Sequence, residues 1–222
     1  MERDPVDQVV CLGDAVQGGC QPAEVIELLQ GLGCPIVLGN ADAFILDAAA
    51  GVEVPNERQL DAREWTREQI GEEGLSYIET FEPTLTVPLG GRELLAFHGS
   101  PVSYDDVILP HVGDAELRQL LGLQRADVLA GGHVHLQWLR PYGESTFVNP
   151  GSVSLPYDRL ELDESVHFDA FAAYARIETD DDRVAIAFRR VPFDRDAVVA
   201  AVASSGIPHA ESLSAQWQPP RA

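Results

Sequence analysis

Lysine is missing from this 222-residue chain, so arginine carries every basic charge apart from histidine. Only 15 basic residues stand against 36 acidic ones, which leaves a net charge of −21. Such a surface repels a polyanion, and no arginine cluster offers a docking stripe, so no nucleic-acid partner is expected. Cysteine is scarce too: Cys11, Cys20 and Cys34 are odd in number and form no Cys-x-x-Cys, which argues against a disulfide framework and for a reducing, cytoplasmic setting. No apolar run approaches the roughly 18 residues of a membrane span. The opening "MERDPVDQ" lacks the apolar segment of a secretion signal, so no membrane partner is expected. Internal repeats and low-complexity tracts are absent as well, and the 45% apolar content suits one substantial core spanning residues 1–222.

Within this frame the hydrophobic pattern alternates between short apolar runs and helical stretches. "VDQVVCL" (Val6–Leu12) and "PIVLGN" (Pro35–Asn40) read as buried strands. Between them "PAEVIELLQGLG" reads as a helix opened by Pro22, with Val25, Leu28 and Leu29 on one face. Strand, helix and strand at this spacing form a βαβ unit with parallel strands. Residues 43–82 read as a surface segment of one or two helices around Trp65, Ile70, Leu75 and Ile78. A hairpin about Gly90-Gly91 follows, then a helix presenting Leu117, Leu120 and Leu121 inward, and a strand in "RADVLAGGHVH". Two more hairpins turn at Tyr142-Gly143 and at Asp180 to Asp182. "DRDAVVAAVASSG" is a helix, and the last dozen residues are expected to be loosely ordered.

The chemistry gathers where apolar runs end. "LGDAVQGG" places Asp14, "LGNAD" places Asn40, "FHGSP" places His98, and "GGHVH" places His133 and His135. Ligands collect outside the carboxyl ends of strands in open α/β sheets. Flanking glycines let the backbone turn and approach a ligand. Taken singly, a Gly-Asp is most often a turn and a His-x-His most often two unrelated histidines. As an ordered set they offer one carboxylate, one amide oxygen and three imidazoles. That donor mix suits Mn, Fe, Zn, Co or Ni, and neither an all-thiolate site nor a calcium cage. His111, His167 and His209 lack this context and read as surface residues.

In this order the motifs resemble the calcineurin-like metallophosphoesterases, particularly their compact bacterial and archaeal phosphodiesterase branch. The family pattern D-x-H, G-D, G-N-H-[DE], H-G and G-H-x-H is met here by Gly13-Asp14, Gly39–Asp42, His98 and His133/His135, with "VNPGSVSLP" following. The resemblance implies an α/β fold of two facing mixed β-sheets flanked by helices, an αββα sandwich. It also implies a two-metal centre, with Asp14 bridging, Asn40, His98 and His133 completing one site, and His135 belonging to the other. Asp14, Asn40 and His98 would then serve catalysis directly, through attack of a metal-bound hydroxide on a small phosphorylated substrate.

Two departures qualify that expectation. No D-x-H precedes Asp14, and Asp4 and Asp7 stand before the strand rather than at its end. Relative to the family the chain is therefore shortened by about one strand and one helix, or it is a degenerate member. The first is preferred, because removing a central strand exposes its neighbours. Either way one metal is expected to be firmly bound and the second weak. Ala41 also stands where the family carries histidine, which removes a group that would help the leaving oxygen depart and leans the expectation toward a phosphodiester. Asp42, deprived of that neighbour, is given no catalytic role. Arg140 and Arg159 are candidates for holding a phosphate, although the ordinary surface role is expected for both. The competing reading is a non-catalytic interaction or scaffold protein with a degenerate metal site. Oligomeric state is left open.

Overall fold

The computed structural model describes residues 5–47, 55–156, 168–180 and 183–217. Along the chain the elements are α1 (Pro22–Leu32), α2 (Asn40–Leu46), α3 (Glu57–Ile78), β1 (Thr84–Leu89), β2 (Arg92–Phe97), α4 (Asp114–Leu121), β3 (Val128–Gly131), β4 (Gln137–Tyr142), β5 (Ser145–Pro150), β6 (Phe171–Thr179), β7 (Val184–Pro192), α5 (Arg195–Ser205) and α6 (Ala210–Ala215). Five strands form one mixed sheet in the order β1-β2-β3-β5-β4, and β6-β7 form a second sheet of two strands. β2, β3 and β5 run parallel, while the β1/β2 and β4/β5 hairpins add antiparallel edges. The expected α/β architecture of two sheets with flanking helices is present.

Strand periodicity sorts side chains to the two faces of the larger sheet. Leu94 and Ala96 of β2, Val128 and Ala130 of β3, and Val148 of β5 point to one face, where Ala175, Ile177, Val184, Ile186 and Phe188 of the β6/β7 hairpin cover them. Phe97, Leu129 and Phe147 point to the other, where Leu117 and Leu121 of α4 pack with Ile108, Val112 and Trp138. A third cluster joins Ile26 of α1, Ile45 of α2, and Ile70 and Ile78 of α3 to Val16, Ile36 and Phe81.

Several sequence expectations need correction. Val6–Leu12 and Pro35–Asn40 do run parallel, but they meet through a single bridge, Cys11 to Ile36, and the second segment makes its other bridge from Val37 to Glu82, beyond α3. The ladder stays short because Pro35 has no N–H to donate and the chain enters α2 at Asn40. The inward face of α1 carries Ile26 and Leu29, whereas Leu28 is 61% exposed. The buried Pro22 and Ile26 are spaced by four residues, so they define the stripe and turn Leu28 away. α3 is interrupted at Gly71, whose φ of 60° and ψ of −171° leave helical space. The single-helix and two-helix readings therefore both describe part of it. Of the last dozen residues, those through Trp217 are more ordered than expected: α6 forms, and Trp217 packs on Phe168 and Phe193 with ring centroids 5.3 and 5.7 Å away, while residues 218–222 lie outside the described residues. Residues 181 and 182 of the last hairpin turn lie outside the described residues. Among the described residues no helix is long and apolar enough to cross a membrane.

Candidate metal centre

Asp14 and Asn40 come from the two bridge-paired segments, His98 follows β2, and His133 follows β3. Because β2 and β3 are parallel neighbours, the loops at their carboxyl ends open on the same side. His98 Nε2 is the meeting point. It lies 3.1 Å from Asn40 Oδ1, 3.2 Å from Asp14 Oδ2 and 3.2 Å from His133 Nδ1. One ring proton cannot satisfy three such neighbours. Atoms that accept, turned toward one point, suit a shared cation. Among the described residues Asp14, His98 and His133 form the group of acidic, histidine and cysteine side chains close enough to hold a metal ion.

The imidazoles are set for this use. His98 Nδ1 lies 2.6 Å from the Leu12 carbonyl, which takes the Nδ1 proton and leaves Nε2 facing the cluster. His135 Nδ1 is likewise held by the Leu155 carbonyl at 2.8 Å. His135, however, stands outside the tight group formed by Asp14, His98 and His133. Burial and then the charge of His98 push His133 below the ordinary histidine range, and burial does the same to His135, so both are neutral and able to bind a metal near pH 7. Burial opposes ionisation of Asp14, but the hydrogen bond and charge of His98, with the Ala41 N–H, outweigh it and bring its carboxyl below the usual range. His98 is the mirror case: burial lowers it, and the Asp14 hydrogen bond and charge raise it overall. No thiol competes. Burial lifts Cys11 to about 12 and raises Cys20 and Cys34.

The backbone around these side chains is unusual. Asp14 has φ 53° and His133 φ 61°, left-handed values that cost a non-glycine residue on the order of 1–3 kcal/mol unless neighbours hold them. The Asp14 and Asn40 loops also touch backbone to backbone. A Cβ at Gly39 would stand 2.1 Å from Asp14 Oδ1 and one at Gly13 would stand 2.6 Å from Gly39 N, so only glycine admits this approach.

Asp42 has a part the sequence reading did not give it. Its carboxylate is fully buried and accepts N–H groups from Asp14 at 2.7 Å, Ala15 at 2.9 Å and Gly39 at 3.1 Å. Burial, then the Asp14 charge, raise it to about 7, against the pull of the Gly39 and Ala15 N–H groups. Its place at the third position of α2 is the only sequence signal for this. Asn149, near the end of β5 in the "VNPGSVSLP" segment, is buried. It donates to the Gly132 carbonyl at 2.7 Å and accepts from Gly151 N at 2.9 Å. Ser152, just beyond β5, is engaged by the Leu155 N–H. Beyond His98, Ser100 donates to Asp106 at 2.5 Å and accepts from Val102 and Ser103, which shapes another wall. Asp105 in that wall acts on His133 through its charge.

Other candidates fall away from the cluster. Arg140 pairs with Asp114 and donates to the Val112 carbonyl, so it does not serve a phosphate here. It lines a cavity of about 740 Å³ with Arg118, Arg125 and Ser145, at the starts of β3 and β5, the ends opposite the ligand loops. Asp7 and His111 are exposed, and His209 pairs with Asp61 at 2.8 Å. Asp4, Tyr157, Arg159 and His167 lie outside the described residues.

The domain description of the calcineurin-like phosphoesterase superfamily matches residues 1–182. The chain belongs to that superfamily. This phosphoesterase-family chain is similar in fold to hypothetical protein PH1004 from Pyrococcus horikoshii OT3, with a TM-score of 0.79 and 21% identity over 98% of this chain and 87% of that one. It is similar also to a metallophosphoesterase from Sphaerobacter thermophilus, with a TM-score of 0.70 and 22% identity over 97% and 90% of the two chains. In sequence it is 25% identical over 181 residues to uncharacterized protein MJ0912 of Methanocaldococcus jannaschii, covering 74% of this chain and 72% of that protein. For a calcineurin-like phosphoesterase, the G-D, G-N, H-G and G-H-x-H motifs are thus found folded together.

Proposed function

We propose that this chain is a metal-dependent phosphoesterase acting on a small phosphodiester, with one divalent ion held firmly by Asp14, Asn40, His98 and His133. The observation that carries the reading is the convergence of Asn40, Asp14 and His133 on His98 Nε2 at 3.1–3.2 Å, from four segments far apart in sequence. A divalent ion bound there supplies Lewis acidity, acidifies water and neutralises phosphoryl charge. The donor set of carboxylate, amide oxygen and imidazole suits manganese, iron, zinc, cobalt or nickel.

The chain's own residues orient and select. Asp14 is held by the Ala41 N–H at 2.8 Å on one oxygen and keeps the other toward His98. His135, neutral with its Nδ1 held by the Leu155 carbonyl, has an Nε2 lone pair that would serve a loosely held second ion. Ala41 offers its N–H to Asp14 and only a methyl group to the cleft, so it cannot protonate a departing oxygen. Among the described residues no arginine bonds the ligand side chains. A diester brings one negative charge and a monoester two, and both facts favour the diester.

The test uses chelator-washed protein reloaded with Mn²⁺. Hydrolysis of bis-p-nitrophenyl phosphate is expected to exceed that of p-nitrophenyl phosphate, and Asp14→Ala is expected to lose about 100-fold or more in rate. Equal background rates in wild type and Asp14→Ala would reject the enzyme in favour of a scaffold protein. Two equivalents of firmly retained metal would reject the single-ion site.

A further inference from the structure

Two ligands of the proposed centre, Asp14 and His133, share a backbone feature and a supporting arrangement. Each has a left-handed φ, 53° and 61°. In each case a buried polar side chain grips the peptide immediately before the ligand. Asp42 accepts the N–H of Asp14 at 2.7 Å, the donor of the Gly13–Asp14 peptide. Asn149 donates to the Gly132 oxygen at 2.7 Å, the acceptor of the Gly132–His133 peptide. The peptide after each ligand is held too, Ala15 N by Asp42 at 2.9 Å and Val134 N by the Gly132 oxygen at 2.6 Å, so with both flanking planes fixed the ligand is left one direction in which to project.

Both grips are tied down at a second point. Asp42 also binds Ala15 N and Gly39 N, locking the Asp14 loop to the segment that presents Asn40. Asn149 also binds Gly151 N, and Gly132 N donates to the His98 carbonyl at 2.8 Å, so the His133 peptide is registered against the His98 loop. Asp42 is 0% and Asn149 1% exposed. Neither touches the point around His98 Nε2 where the ligands meet. Fixed dipoles and carboxylates behind metal ligands set their orientation and hence their affinity.

We infer that Asp42 and Asn149 are paired positioning residues, which hold Asp14 and His133 in strained backbone conformations so that their side chains point at a common ion. Without the grip, each ligand relaxes toward negative φ and its side chain swings off the shared point. This rests on the metal-site reading above.

The test is calorimetric titration of Mn²⁺ into chelator-washed protein, with thermal unfolding of the metal-free forms measured alongside. Asp42→Asn replaces an acceptor oxygen by a donor facing N–H groups, and Asn149→Ala removes the grip on Gly132. Each is expected to weaken Mn²⁺ binding about 10- to 100-fold. Ile45→Val, in the core of α2, lowers the unfolding midpoint and leaves the affinity within about twofold of wild type. Affinity unchanged in the folded Asp42→Asn and Asn149→Ala proteins overturns the inference. So does a failure of both to fold, which would make them supports of the whole structure rather than of the ligands. If one alone fails to fold, the affinity of the other decides. A wild type that binds no Mn²⁺ sinks the metal site itself, a result distinct from all of these.

Discussion

His98 shows how much of the site's behaviour follows from one side chain. Its Nδ1 is engaged by the Leu12 carbonyl, so a proton on Nε2 makes the ring cationic and lets it pair with Asp14 in the absence of metal. Burial disfavours that charge, but Asp14 stabilises it more, and His98 sits above its ordinary 6.5. A metal ion must displace this proton. Apparent metal affinity is therefore expected to rise about tenfold per pH unit while pH is below the raised folded value of His98, and to level above it. Calorimetry in buffers of different ionisation enthalpy should show about one proton released per ion on the rising part. A flat affinity between pH 6 and 8 would refute this. The sign for folding is opposite: with its folded value raised, His98 stabilises the metal-free protein below 6.5, and that contribution is lost as pH climbs through the folded value. The candidate ligands were legible from sequence because glycine-flanked polar residues at the ends of apolar runs are conspicuous. The roles of Asp42 and Asn149 were not, since a carboxylate that binds three N–H groups differs in no sequence feature from one that faces water.

Elements were legible where local periodicity decided them. α4, β3, the three hairpins and α5 lie where their patterns place them. The failures came where tertiary contact decided. Both first segments carry strand-like side chains, but a ladder needs partners of matching length, and only single bridges form. On α1 the choice between Leu28 and Ile26 for the buried stripe turns on which helix packs there, and α3 supplies the contact. The final segment was judged by its position in the chain, yet Trp217 is 4% exposed and is clasped by Phe168 and Phe193. Trp217→Ala is expected to cost about 3 kcal/mol of folding stability, the usual range for losing a buried large aromatic side chain. Urea unfolding measures it, and a loss below about 1 kcal/mol would mean that this packing does not hold the chain end.

Over the whole molecule the proposed ion would add a cross-link between regions already joined by the packing of Val10, Leu12 and Val37 on the larger sheet. The Asp14 and Asn40 segments belong with the α1, α2 and α3 cluster, and His98 and His133 extend from the larger sheet. An ion shared by all four cross-links the two regions. At a metal concentration a thousandfold above Kd, binding should add about 4 kcal/mol of stability. For a domain of this size that raises Tm on the order of 10 °C. A differential scan with Mn²⁺ and with chelator would show it, and identical midpoints would exclude an ion that bridges these regions. The chain's acidity, in turn, was fully legible beforehand and has a consequence at this scale: the net field repels an anion, and a bound cation would reverse the sign locally. By itself the sequence determined the candidate donor set, the order of the motifs and the alternation of strands and helices, because residue identity and spacing are local properties. Only the tertiary structure decided that Asn40, Asp14 and His133 meet at His98 Nε2 while His135 stands apart, and that Asp42 and Asn149 grip the peptides behind two ligands. Those are distances between loops far apart in the chain, set by how the sheets and helices pack.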